Sequence, residues 1–216
     1  MKRTLIFLLF LLAAANIQNA QVTTLGKSVD YLSRYIASDE FNQLSVNSND
    51  LALIDSIYKK ALNNCEHDIS DALFILTFSV IPYNHIPLAS PNLGLRINIP
   101  LPHSIDSIYS LKNKRLPKII FYDSPKNEFG DKDKLAHFFG SAYLAYSSSW
   151  FDITEIIGIF VEDFEEKFYV QSKVDLRDIR ADNLGNIFGK ALKENRNVLP
   201  SQVFSLYHLT LFRYGL

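Results

Sequence analysis

Apolar residues recur every three or four positions in several parts of this chain, a period that belongs to helices. Gly26–Ala37 sets Val29, Leu32 and Ile36 on one face and predicts a short helix. Asn47–Asn64 predicts a longer one, capped by Ser48 or Asn49, with Leu51, Ile54, Tyr58, Ala61 and Leu62 facing inward. Asp71–Ile81 is almost wholly apolar and stops at Pro82. Its periodicity fits a buried strand as well as a buried helix, and the Ser70-Asp71 cap tips the expectation to helix. Val198–Gly215 closes the chain with Val203, Leu206, Tyr207, Leu211 and Tyr214 on one face, behind a Pro200 suited to a first helical turn.

The pattern changes at Pro82–Pro102, where Pro82, Pro87, Pro91, Pro100 and Pro102 argue against helix. Leu93, Leu95, Ile97, Ile99 and Leu101 alternate there with Gly94, Arg96, Asn98 and Pro100, as in a half-buried strand. Leu116–Tyr122 is a second strand candidate, followed by a turn-rich linker at Asp123–Asp131. The expected fold is mainly α (α+β). It is a small helical bundle with a short two-stranded β ribbon between the N-terminal helices and the C-terminal core. The expected organisation is a targeting segment at 1–20, helices and ribbon at 21–131, and a helical core at 132–216 continuous with the part before it.

Chemistry concentrates between Asp133 and Gly189. Three apolar segments read D-K-L-A-H-F-F-G at Asp133–Gly140, G-I-F-V-E-D-F-E at Gly158–Glu165 and D-L-R-D-I-R-A-D-N-L-G-N-I-F-G at Asp175–Gly189. Residues three, four and seven apart share a helix face, so Asp175, Asp178 and Asp182 form one acidic stripe. Glu162 with Glu165 or Glu166 repeats the arrangement on the middle segment, and Asp133 with His137 opens the first. Converging, these stripes bring an imidazole among several carboxylates, which needs a cation, shared protons or Lys/Arg partners. Gly185 and Gly189 lie on one face of the third segment. Glycine within a helix costs roughly 0.5–1 kcal/mol against alanine, so the pair points to close approach of a neighbour, with Gly140, Ser141 and Ala145 as the expected counterpart.

At these residues the chain resembles the VanZ-like family and the YfiM-like lipoproteins that share its core. Asp133, Lys134 and His137 match an Asp-Lys-x-x-His opening. Glu162 matches the following Glu, with Glu165 where the family has Gln or Asp. Asp178, Asp182, Gly185 and Gly189 match the closing block at each offset. Unlike the integral membrane members, this chain interrupts its apolar segments with Ser147-Ser148-Ser149, Asp152 and Glu155. The resemblance implies a cell-envelope location and no defined reaction.

The start of the chain agrees with that location. Lys2-Arg3, the apolar run Leu5–Leu12 and Ala13-Ala14-Ala15 compose a cleavable targeting signal, with Ala20–Gln21 as a second cleavage option. The run is short of the about 20 apolar residues that span a bilayer. No Cys follows it, so lipidation is not expected. The expected product is an exported protein, periplasmic or envelope-associated. Losing Lys2 and Arg3 takes the 22 basic residues to 20 against 23 acidic ones, net −3, which excludes a basic nucleic-acid surface. Cys65 is the single cysteine, which excludes an internal disulfide and a thiolate metal site. His67, His85, His103 and His208 sit in contexts that favour solvated or structural roles.

Two readings of Asp133, Lys134, His137, Glu162, Glu165, Asp178 and Asp182 follow. In the first they form a structural network, with Lys134, Arg177 and Arg180 neutralising the acids. Function then lies in binding a partner, a lipid at a membrane surface or a small ligand. In the second, His137, Glu162, Asp178 and Asp182 hold a divalent metal, and His137, Glu162 and Asp178 are catalytic candidates of a hydrolase acting on an envelope lipid or phosphate ester. No nucleophile elbow or Gly-rich phosphate loop accompanies the cluster, and the first reading is preferred.

Overall fold

The computed structural model describes residues 21–90, 95–147 and 175–213, which form eight helices and one β hairpin. The helices are α1 Gln21–Ile36, α2 Asp39–Asn47, α3 Asp50–Asn64, α4 Ile69–Ser79, α5 Asp106–Arg115, α6 Lys134–Ser147, α7 Leu176–Glu194 and α8 Pro200–Arg213. The chain is mainly helical among its described residues. The segments Met1–Ala20 and Gly158–Glu165, including Glu162 and Glu165, lie outside them.

Local capping chemistry sets most of the helix ends. Ser38, Asn49 and Asp68 each accept the backbone N–H three residues ahead and open α2, α3 and α4. What reads as one helix over Asn47–Asn64 therefore begins at Asp50, and α4 is capped by Asp68 rather than by Ser70-Asp71. The start of α8 is capped from another element. Asp55 of α3 accepts both the Ser201 N–H (2.8 Å) and its hydroxyl (2.6 Å).

The ribbon expected from Leu93–Leu101 and Leu116–Tyr122 is not formed. Strands β1 His85–Ser90 and β2 Leu95–Pro100 pair antiparallel, with His85 opposite Pro100 and Ser90 opposite Leu95. Leu116–Tyr122 has no strand partner among the described residues and serves as a buried anchor instead. Leu116, Ile120 and Phe121 enter the core. The backbone N–H groups of Lys118 and Ile119 donate to Asp50 Oδ2 at 2.9 and 2.6 Å. Those of Ile120 and Phe121 donate to Ser124 Oγ at 3.1 and 2.9 Å. Side-chain oxygens have taken the place of a neighbouring strand.

Helix α5 holds the end of α4 through a buried lysine. Lys112 Nζ donates to the carbonyls of Ile81 (2.7 Å) and Ser79 (3.2 Å), while Tyr109 and Asn113 donate to that of Pro82. Burial pushes the Lys112 ammonium down to about 7.

The core joins the two halves of the chain. Phe138 of α6 stacks on Phe188 of α7 with ring centres 5.3 Å apart, and meets Phe204 of α8 at 4.7 Å. Tyr58 of α3 meets Phe188 edge to face. Helices α6 and α7 run parallel, since contacts advance in step along both. A Cβ on Gly185 would lie 2.2 Å from the Phe138 carbonyl oxygen, and one on Gly189 2.3 Å from that of Ala142. The counterpart differs from expectation at one position. Ser141 and Ala145 face the two glycines, but Gly140 faces Thr77 of α4.

Gly185→Ala and Gly189→Ala should each destabilise the protein by about 2 kcal/mol, because a rigid backbone blocks the new methyl. Gly26→Ala, with open space around it, should stabilise by roughly 0.5–1 kcal/mol. Urea denaturation of the three variants checks both signs.

Candidate functional site

The parallel pairing of α6 and α7 brings their N-terminal turns together, and the polar cluster forms there. Lys134 opens α6 with its side chain directed at α7. Its Nζ lies 2.7 Å from Asp133 Oδ2, 2.7 Å from Asp178 Oδ1 and 3.1 Å from Asp175 Oδ2. The lysine is nearly buried, while the three carboxylates keep a fifth to a third of their side-chain surface. One turn on, His137 stands between Asp178 and Asp182, with Nε2 to Asp178 Oδ1 at 3.5 Å and Nδ1 to Asp182 Oδ1 at 3.4 Å. Ser141 then donates to Asp182 Oδ1 at 2.8 Å. The row Lys134, His137, Ser141 thus faces the row Asp175, Asp178, Asp182. Helical spacing on both sides makes the pairs register.

A second layer lies beneath the first. Asp175 caps α7 by accepting the Arg177 N–H (3.0 Å). Arg177 returns its guanidinium to Asp175 Oδ2 (2.8 Å) and reaches Asp131 Oδ1 (2.8 Å), a carboxylate with no exposure at all. Asp131 also accepts the Ser124 hydroxyl. Arg180 pairs with Asp123 and lies 5.0 Å over the Phe121 ring. Asp123, Ser124 and Asp131 fall in a stretch whose sequence reads only as a linker. The one clue was Gly130, which takes φ +60° and packs against the Lys118 backbone, so the stretch turns back on itself.

Charge balance sets the protonation states. Burial works against the Lys134 ammonium, but hydrogen bonds to Asp133 and Asp178 overrule it and hold its pKa above the ordinary lysine value. Burial likewise opposes ionised Asp175, and the Arg177 and Lys134 donors bring its pKa below the usual carboxylate range. At Asp131 burial prevails over Ser124 and Arg177 and raises the carboxyl. Partial desolvation disfavours the imidazolium of the exposed His137, but the Asp182 contact and the charges of Asp182 and Asp178 raise its pKa above the ordinary histidine value.

This arrangement differs from what metal binding asks for. The position among Asp133, Asp175 and Asp178 where a cation would be held is taken by the lysine ammonium. Both ring nitrogens of His137 face carboxylate oxygens, which favours the protonated ring over the lone pair a metal needs. Among the described residues no group of three or more His, Cys, Asp or Glu is placed to hold an ion. Asp182, Asp178 and His137 come together as expected, and Gly185 and Gly189 bring the helices close enough for it. His85 and His103 do not join the cluster: their Nδ1 atoms contact Asn84 Oδ1 and the Leu101 carbonyl. Ser141 donates its hydroxyl to the Asp182 carboxylate, and among the described residues no imidazole is hydrogen-bonded to it. No helix among the described residues is long and apolar enough to cross a membrane.

Comparison of the chain with protein-family models, curated proteins and solved structures found no match.

A raised histidine pKa adds stability that is complete below the unfolded value, near 6.5, and is lost as pH rises through the folded one. The wild type should therefore exceed His137→Gln in stability at pH 5.5, and the gap should close by pH 8.5. Denaturant midpoints at the two pH values test this. A gap that widens with pH would mean the ring is held neutral.

Proposed function

We propose that this is an exported cell-envelope protein that acts by binding a partner, lipid or small ligand, with the α6/α7 cluster as the structural bond that holds its framework. The observation that carries this reading is the Lys134 ammonium at 2.7–3.1 Å from three carboxylates. The chain supplies the cation its own acids require, as a load-sharing network does. The basic, apolar and small-residue order of Met1–Ala20 supports export. The D-K-x-x-H, E-x-x-E and D-x-x-x-D-x-x-G-x-x-x-G blocks, with their likeness to VanZ-like and YfiM-like proteins, support an envelope setting. Beside the cluster's lower layer, Tyr122 stands well exposed next to the Arg180 guanidinium and offers an aromatic group for contact. A metal-dependent hydrolase draws less support, because its two acids among the described residues, Asp178 and Asp182, are already engaged by Lys134, His137 and Ser141.

Lys134→Met should cost about 3 kcal/mol, since three carboxylates lose their shared counter-ion. Adding Asp133→Asn and Asp178→Asn to that variant should restore part of the loss. Purified protein should carry no stoichiometric metal by mass spectrometry. Zn, Mn or Ca at one equivalent, lost in Asp178→Asn with the circular dichroism unchanged, would overturn the reading in favour of a metal site.

A further inference from the structure

At the far end of α7, roughly 24 Å from Asp178 along the helix axis, a pocket of about 330 Å³ opens between α3, the turn after it and the α7–α8 connection. That volume is at the lower end of the roughly 300–1,000 Å³ of small-molecule sites. Leu62, Val198 and Leu199 give it apolar walls, and Lys59, His67 and Arg196 stand at its edge. None of its lining residues is acidic. Arg196 follows the C-terminal end of α7, where any cation is favoured by the helix dipole, and Lys59 is an exposed lysine of α3. Their charge alone therefore identifies nothing.

The second observation is Tyr58, which lines the same pocket. Its ring is fully buried and locked edge to face on Phe188, and its hydroxyl has no hydrogen-bonding partner among the described residues. A buried hydroxyl left without a partner costs about 1–3 kcal/mol. Burial and the nearby Tyr146 push the phenol's pKa up and the Arg196 charge works against them, and Tyr58 and Arg196 both line the pocket. The wall is shaped in advance. Glu66 and His67 both take left-handed backbone, φ 50° and 66°, and Arg196 donates to the His67 carbonyl at 3.1 Å. Such conformations persist only where the surroundings enforce them.

We propose that this pocket binds a small amphipathic anion, a phosphate or carboxylate carried on a short apolar body. Arg196 and Lys59 hold the charge, the Tyr58 hydroxyl donates to it, and Leu62, Val198 and Leu199 cover the apolar part. The proposal rests on the reading of the chain as a binding protein, and names a ligand class and a place for it.

The test is calorimetric titration of the whole chain with hexyl phosphate, inorganic phosphate and hexanol. Hexyl phosphate should bind saturably at one site, inorganic phosphate at least tenfold more weakly, and hexanol not measurably. Arg196→Gln should weaken hexyl phosphate tenfold or more. Tyr58→Phe should weaken it at least threefold while leaving the free protein at least as stable as before, because the buried hydroxyl has no partner to lose. Lys190→Gln, an exposed residue of α7 outside the pocket, should change nothing. Sedimentation with phosphatidic acid vesicles separates the sources of the anion. Co-sedimentation lost in Arg196→Gln identifies a lipid headgroup, and its absence beside intact hexyl phosphate binding identifies a free molecule. Absence of saturable binding, equal binding of hexanol, or indifference to Arg196→Gln would overturn the proposal. Any of these would leave the Lys134 result standing, and one equivalent of metal at the cluster would leave the pocket standing.

Discussion

Carboxylates do not gather in a half-buried place without a counter-charge, and in this protein nearly everything at the N-terminal ends of α6 and α7 answers that constraint. Lys134 meets Asp133, Asp175 and Asp178, and the next turn sets His137 and Ser141 against Asp178 and Asp182. The pairs can register only if the two helices are parallel and close, and closeness depends on Gly185 and Gly189 presenting no side chain to the Phe138 and Ala142 carbonyls. Desolvating this many charges is costly in itself. The apolar packing of Phe138, Phe188 and Phe204 offsets that cost, and the polar row contributes the choice of register.

Much of this was legible in the sequence because helical spacing is a strong code. The i, i+3, i+7 placement of Asp175, Asp178 and Asp182 announced a shared face, and the two glycines announced a close neighbour. What spacing does not encode is which counter-charge wins. Lys134 and a divalent ion are equally compatible with the same stripe, and the reach of the lysine side chain to Asp133, Asp175 and Asp178 is not written in the spacing. The alternation at Leu93–Leu101 was a clear strand signal, but its partner was not legible. His85–Ser90 carries two residues that disfavour strands, including Pro87. Leu116–Tyr122 carries the strand-forming run Ile119–Tyr122 and none of the pairing, because Asp50 and Ser124 satisfy its backbone from outside. Helices α2 and α5 are short and carry few apolar residues, so their periodicity is weak and tertiary contacts determine them.

The stretch from Leu116 to Asp133 shows the same logic away from regular structure. Three side chains, Asp50, Ser124 and Asp131, supply or receive the hydrogen bonds that a sheet would have provided, and Arg177 ties the result to α7. A segment that reads as a linker is in this way made part of the framework beneath the cluster.

Parallel orientation of α6 and α7 also bears on how the chain reaches this state. Antiparallel neighbours can be joined by a short turn and form early from local contacts. Here Lys134 and Asp178, which meet at 2.7 Å, lie 44 positions apart in the chain (178 − 134). Bringing together residues that far apart costs about 3 kcal/mol of chain entropy before any contact repays it. The cluster therefore belongs to the late part of folding, and α1 to α4, with their near-neighbour packing, to the early part. A bond made late is absent from the barrier crossed in folding and present in the one crossed in unfolding. The carboxylate-bound lysine thus acts chiefly as a latch on the lifetime of the folded state.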